Sequence, residues 1–253
     1  MAGDFGQIAN FTVKAAEEFV ARTHISRGTR VLDVACGTGN TAIPAARAGG
    51  VVTGVDIASN LLGQARKRAA LEQLEIRFQE GDAEDLPVGD REFDVVQTMF
   101  GAMFAPRPEW VAAELIRACK PGGLIAMANW TPEGFVGKSF QITAEMVPPP
   151  AGLSAPALWG NEQVVRDRFA NGISKLSLTR QKAVFDYPCR PKEVVEFFRQ
   201  YFGPTQATFS RLDKQGQSVL ASRLESLWTQ HNTATNGTTK VEAEYLDVRA
   251  IRG

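Results

Sequence analysis

The run Val31-Leu32-Asp33-Val34-Ala35-Cys36-Gly37-Thr38-Gly39-Asn40-Thr41-Ala42 places two glycines between a short apolar strand and a helix. Glycine has no Cβ, so backbone at Gly37 and Gly39 can press against a ligand. A strand that turns at once into a helix holds that ligand at the carboxyl edge of a sheet. Asp56 closes the next apolar run, Val51 to Val55, where a carboxylate can hold two ribose hydroxyls. The chemistry in reach is therefore the binding of a nucleoside. A ligand-free tight turn would need both glycines and Asp56 to coincide.

On its own the loop also fits Gly-x-Gly-x-x-Ala, the dinucleotide fingerprint, and leaves NAD and S-adenosylmethionine both open. Three further features bear on that choice. Asp33 interrupts an apolar strand, and a buried carboxylate is costly without a partner. A ligand ammonium would supply one, and NAD carries none. Asp82, in Gly81-Asp82-Ala83, can accept from an adenine amino group while the next N–H reaches a ring nitrogen; read alone it is an ordinary turn residue. Lys120-Pro121-Gly122-Gly123 reads mainly as a turn. The Tyr-x-x-x-Lys pair suited to hydride chemistry is missing, because Tyr187, Tyr201 and Tyr245 are followed four residues on by Pro191, Thr205 and Arg249.

No general base stands out. His24 and His231 read as packed or solvated, and Cys36 as a small packing residue of the loop. An acceptor pocket is expected from Phe100, Met103 and Phe104 after the fourth strand and Trp130 after the fifth. Phe135, Phe140, Met146 and Trp159 as a group are expected to close over it from a lid, although each taken singly reads better as lid core.

The elements that must position these residues read as follows. Apolar spacing from Ile8 to Val20 predicts an opening helix. Strands are expected over 31–35, 51–55, 75–79, 93–98 and 124–129, with helices at about 40–48, 59–71 (capped by Ser59) and 109–120 between them. This alternation implies parallel, right-handed βαβ crossovers in a sheet covered on both faces. The pattern then changes: helices at 136–146 and 162–169 read as a lid, 173–187 as a long strand, 191–202 and 218–231 as helices, and 241–251 as a last strand. The expected organisation is one structural domain: 1–134 for the opening helix and nucleoside-binding core, 135–172 for the lid, 173–253 for completion of the sheet.

Composition narrows the partners. Lys plus Arg and Asp plus Glu are 28 each, so there is no basic surplus for a nucleic acid. The three cysteines, Cys36, Cys119 and Cys189, form neither a disulfide framework nor a metal site and suit a reducing, cytoplasmic compartment. No signal peptide and no membrane-spanning run is expected.

As an ordered set, Val31 to Gly39, Gly54-Val55-Asp56-Ile57, Gly81-Asp82-Ala83-Glu84-Asp85-Leu86-Pro87, Phe93-Asp94-Val95-Val96 and Lys120 to Gly123 resemble the class I S-adenosylmethionine-dependent methyltransferases over about residues 28 to 130. The nearest flavour is the small-molecule branch that includes the ubiquinone and menaquinone biosynthesis methyltransferases. The resemblance implies an α/β, Rossmann-like, doubly wound, mostly parallel seven-stranded sheet in the order 3-2-1-4-5-7-6, strand seven antiparallel. It implies S-adenosyl-L-methionine as cofactor, with S-adenosyl-L-homocysteine as product and in-line methyl transfer to a small apolar or aromatic acceptor. Gly37 and Gly39 would lie under the methionine part, with Ala35 and Thr38 of the same loop, and Asp33 near the ammonium. Asp56 would bind the ribose, Ile57 pack on adenine, Asp82 and the Ala83 N–H read its edge, and Gln97 face the methyl end. An NAD(P)-dependent oxidoreductase and a non-catalytic cofactor-binding module remain alternatives at this stage. The acceptor, the atom methylated and the oligomeric state, a homodimer included, are not written in the sequence.

Overall fold

The computed structural model describes residues 5–253. Its first four residues, part of the expected 1–134 unit, lie outside that description. Seven strands run β1 Arg30–Val34, β2 Val51–Asp56, β3 Ile76–Glu80, β4 Phe93–Met99, β5 Cys119–Trp130, β6 Ile173–Tyr187 and β7 Thr239–Arg252. They form one sheet in the order β3-β2-β1-β4-β5-β7-β6. β3, β2, β1, β4 and β5 are parallel, and β7 runs antiparallel to both β5 and β6. The fold is the Rossmann-like α/β sheet expected. Val31, Leu32, Val96 and Ile125 are fully buried, as central strands covered on both faces require.

The opening helix is broken in two. α1 Phe5–Ala9 and α2 Val13–Ala21 flank a 3-10 turn at Asn10–Thr12. Thr12 Oγ1 donates to the Ala9 carbonyl at 2.9 Å and Asn40 Nδ2 donates to it at 2.7 Å. That carbonyl is drawn toward the glycine loop. α2 is fastened to the sheet through Arg22, whose Nε donates to buried Asp247 on β7 at 2.9 Å.

α3 Ala42–Arg47 starts later than expected because residues 35–41 carry three left-handed conformations. α4 Ser59–Leu71 begins at Ser59, so the capping position is Ala58 and no side chain among the described residues caps the helix; Asp56 Oδ1 accepts the Ala58 N–H at 2.8 Å. α5 Pro108–Ala118 passes directly into β5. Lys120 to Gly123 is therefore not a helix–strand loop. Phe93 pairs with Cys119 and Val95 with Leu124, so the four residues swing out as a bulge inside one strand, with Gly122 at φ +76°.

The segment 135–172, expected to act as a lid, contains α6 Phe135–Met146, a 3-10 turn at Pro156–Gly160, and α7 Glu162–Arg168. Between β6 and β7 come α8 Pro191–Tyr201, α9 Gly203–Ser210 and α10 Lys214–His231. α9 was not expected, and α10 starts four residues early because Asp213 caps it, accepting the Gly216 N–H at 2.7 Å. Trp228 of α10 ties this layer to the lid and the sheet, with ring centroids 4.5 Å from Phe135 and 6.1 Å from Phe185.

Candidate active site

The carboxyl ends of β1, β2, β4 and β5 meet at one cavity of about 380 Å³. Its floor begins at the loop after β1. Ala35 (φ +54°), Gly37 (+54°) and Gly39 (+86°) alternate in left-handed conformations that bend the chain away from the sheet. A Cβ built on Gly37 would meet nothing within 4 Å, so this backbone lies open to a ligand. Ala35 is held in its strained conformation by the fold.

Asp56 ties two loops together. Its Oδ2 accepts the Gly37 N–H at 2.7 Å and its Oδ1 the Ala58 N–H at 2.8 Å. Burial pushes its pKa up, and those N–H groups pull the other way. Each oxygen keeps a lone pair for another donor. Arg68 of α4 braces the loop from outside, donating to the Thr38 carbonyl at 2.8 Å and to Asn40 Oδ1 at 2.7 Å.

Asp33 is completely buried beneath this loop. Its Oδ2 accepts from Thr41 Oγ1 at 2.7 Å, and its Oδ1 has no partner. Desolvation pushes its pKa up to about 7. Beside it across the sheet, Gln97 is also fully buried, and neither end of its amide has a partner. Unsatisfied polar groups at such depth ask for a ligand or water.

Of the residues expected in the site, Ala35, Gly37, Thr38, Asp56, Ile57, Phe100, Phe104 and Trp130 line the cavity. Asp33, Gly39 and Gln97 do not; Thr41 lines it and stands over Asp33. Asp82 is exposed, its Oδ1 accepting the Glu84 N–H at 2.9 Å, and Ala83 is half-buried; neither lines the cavity. Met103 is buried in the core. Trp159 is 1% exposed and lies under the Arg168 guanidinium, 4.3 Å from its ring centre, so it fills the lid instead of closing over the cavity.

Phe100 and Trp130 stack at 3.7 Å with planes 9° apart. Phe100 holds φ +59°, a costly conformation for an aromatic residue, and the next residue, Gly101, lies so close to Ala35 that a Cβ there would clash. The roof adds residues that sequence reasoning missed: Ile8 and Thr12 from the N-terminal segment, Phe185 from β6, Phe198, Phe202, Thr205 and Thr208 from α8, α9 and the junction between them, and Trp228 from α10. The aromatic density of residues 185–202 was the available signal. Phe135 and Phe140, expected in the lid, do line the cavity. Nine aromatic rings face it, and Asp56 is the one charged side chain among the described residues lining it. A second cleft, of about 420 Å³, lies by Arg77, Glu92 and Phe93 near the other end of the strands, away from the glycine loop.

A seven-stranded sheet of this order, with a glycine loop after the first strand and a carboxylate after the second, defines a class I S-adenosylmethionine-dependent methyltransferase. A methyltransferase-domain family model matches residues 31–123. The chain belongs to this family, and it transfers methyl groups from S-adenosylmethionine. It is 41% identical over 204 residues to uncharacterized protein Rv1403c of Mycobacterium tuberculosis, which covers 80% of this chain and 74% of that one. A demethylmenaquinone methyltransferase of Deinococcus radiodurans is 41% identical over 128 residues, 49% of this chain and 53% of that one. Phosphoethanolamine N-methyltransferase 2 of Haemonchus contortus, solved in complex with S-adenosyl-L-methionine, superposes with a TM-score of 0.59 at 20% identity over 95% of this chain and 53% of that one. Among the described residues no helix is long and apolar enough to cross a membrane, and no group of side chains is placed to hold a metal.

Proposed function

We propose that the cavity binds S-adenosylmethionine along the β1–β2 edge and a small apolar or aromatic acceptor under the roof. The observation that carries this reading is the division of one cavity into a polar end at Gly37, Thr38 and Asp56 and an aromatic remainder with no charged side chain. The residues at the polar end suit the cofactor: open backbone at Gly37, spare lone pairs on Asp56, and an unpaired Asp33 oxygen below. Asp56 holds the ribose hydroxyls and Ile57, 70% exposed beside it, covers the adenine. Asp33 acts on the methionine end through Thr41 and through its charge, with Gly39 and Gln97 behind the loop. Asp82 and Ala83 reach the adenine edge from the loop after β3.

S-adenosylmethionine supplies a methyl carbon made electrophilic by its sulfonium. The chain's work is to align and to exclude water. Phe100 and Trp130 give the acceptor a flat wall, with Phe104 at the mouth and Met103 packed behind. Trp159 stiffens the lid. The name of the Deinococcus relative, a demethylmenaquinone methyltransferase, supports an acceptor that is apolar and aromatic. The even charge balance and sparse cysteines support a cytoplasmic enzyme with no nucleic acid partner, working alone or as a homodimer.

S-adenosylhomocysteine is expected to raise the melting temperature, while NAD leaves it unchanged. Transfer of label from methyl-labelled cofactor into a metabolite extract then finds the acceptor. Stabilisation by NAD alone would remove the cofactor placement.

A further inference from the structure

Seven hydroxyl side chains line the cavity: Thr12, Thr38, Thr41, Ser139, Thr143, Thr205 and Thr208. Five are engaged. Thr12 donates to the Ala9 carbonyl at 2.9 Å, Thr41 to Asp33 at 2.7 Å, Thr143 to the Phe140 carbonyl at 2.8 Å and Thr208 to the Pro204 carbonyl at 2.9 Å. Thr38, at the glycine loop, accepts from Arg68 at 3.1 Å. Ser139 on α6 and Thr205 on α9 have no hydrogen-bond partner among the described residues. Thr205 is only 8% exposed and lines the cavity.

They share their helices with Thr143 on α6 and Thr208 on α9, and differ from those two in having no partner among the described residues. They stand on two helices of the roof, remote in sequence, and line the same cavity as Phe135, Phe140 and Phe202. Neither oxygen is sealed from solvent, so water serves these hydroxyls in the open cavity, and a ligand that displaces that water must supply its hydrogen bonds. No charged side chain stands on that wall, so a charged substituent would have no counter-ion there.

We infer that Ser139 and Thr205 determine acceptor specificity by hydrogen-bonding a neutral hydroxyl or carbonyl substituent on an aromatic acceptor. The inference rests on the reading that the roof receives the acceptor. A site built to bond such a group rejects the analogue that lacks it, because its own hydroxyls are then left unpaired. Phe100 and Trp130 take the ring; Ser139 and Thr205 select its decoration.

The test uses 2-naphthol and its near-isostere 2-methylnaphthalene, titrated calorimetrically into the full chain saturated with S-adenosylhomocysteine. Wild type is expected to prefer 2-naphthol by about tenfold. Ser139→Ala and Thr205→Val should each reduce the preference, and the double variant should bring it near one. Affinity for 2-methylnaphthalene and for S-adenosylhomocysteine should hold within about twofold, and Thr205→Ser should keep the preference because it keeps the hydroxyl. Equal affinities in wild type, or an undiminished preference in the double variant, would overturn the assignment. If neither naphthalene binds while S-adenosylhomocysteine does, the aromatic-acceptor reading itself is wrong and takes this proposal with it. If S-adenosylhomocysteine fails to bind wild type, the fault lies earlier, in the cofactor placement.

Discussion

Thr41 Oγ1 donates to Asp33 Oδ2 across 2.7 Å, and Thr41, not Asp33, reaches the cavity. The carboxylate in the first strand is thus sealed in, with one oxygen satisfied and one not. Its charge is costly until a cation sits nearby.

The raised pKa of Asp33, about 7, gives stability a definite sign with pH. The folded protein holds a proton that the unfolded chain releases near pH 4, so this contribution is full below about pH 4, falls as pH rises and levels off above about 7. Comparing melting temperatures of wild type and Asp33→Asn from pH 4 to 8 checks it: the variant should lack that decline. A wild type that grows more stable than Asp33→Asn over this range would contradict the assignment.

Asp56→Ala removes the acceptor of two backbone N–H groups, Gly37 at 2.7 Å and Ala58 at 2.8 Å. The ribose contacts proposed for it go as well. S-adenosylhomocysteine binding should weaken by about 2–4 kcal/mol, read by calorimetry. An unchanged dissociation constant would refute the ribose role.

Gly101→Ala should be destabilising. The added Cβ would lie 2.6 Å from Ala35 Cβ and 2.7 Å from the Ala35 carbonyl oxygen, both on strained backbone. A loss of about 1–3 kcal/mol in denaturant unfolding is expected. Phe100 is anchored by the same contact, so its stacking on Trp130 should loosen too, seen as altered tryptophan fluorescence.

Asn40 joins the glycine loop to the N-terminal segment, accepting from Arg68 at 2.7 Å and donating to the Ala9 carbonyl at 2.7 Å. Asn40→Ala should free the segment that supplies Ile8 and Thr12 to the cavity. Amide exchange in residues 5–12 should accelerate, while the sheet strands keep their protection. Unaltered exchange there would show that the segment is held by its apolar contacts alone.

The sequence by itself determined the parallel strands, the glycine turn and the carboxylates at the ends of the strands. Those signals are local: apolar runs of strand length, glycines where left-handed backbone is needed, and Asp33, Asp56 and Asp82 at fixed places beside them. Even its misreadings were local ones. Pro121-Gly122-Gly123 looks like a loop, and only pairing of Cys119 with Phe93 turns it into a bulge. Ser59 looks like a cap, yet the capping position falls on Ala58, and no side chain among the described residues caps the helix. The acceptor end was a different problem. Trp159 and Phe185 look alike as buried aromatics, yet one fills the lid and the other faces the cavity. Which ring turns inward depends on how α6, α8, α9 and α10 close over β4 and β5. That choice is made by packing between segments separated along the chain, and no periodicity records it.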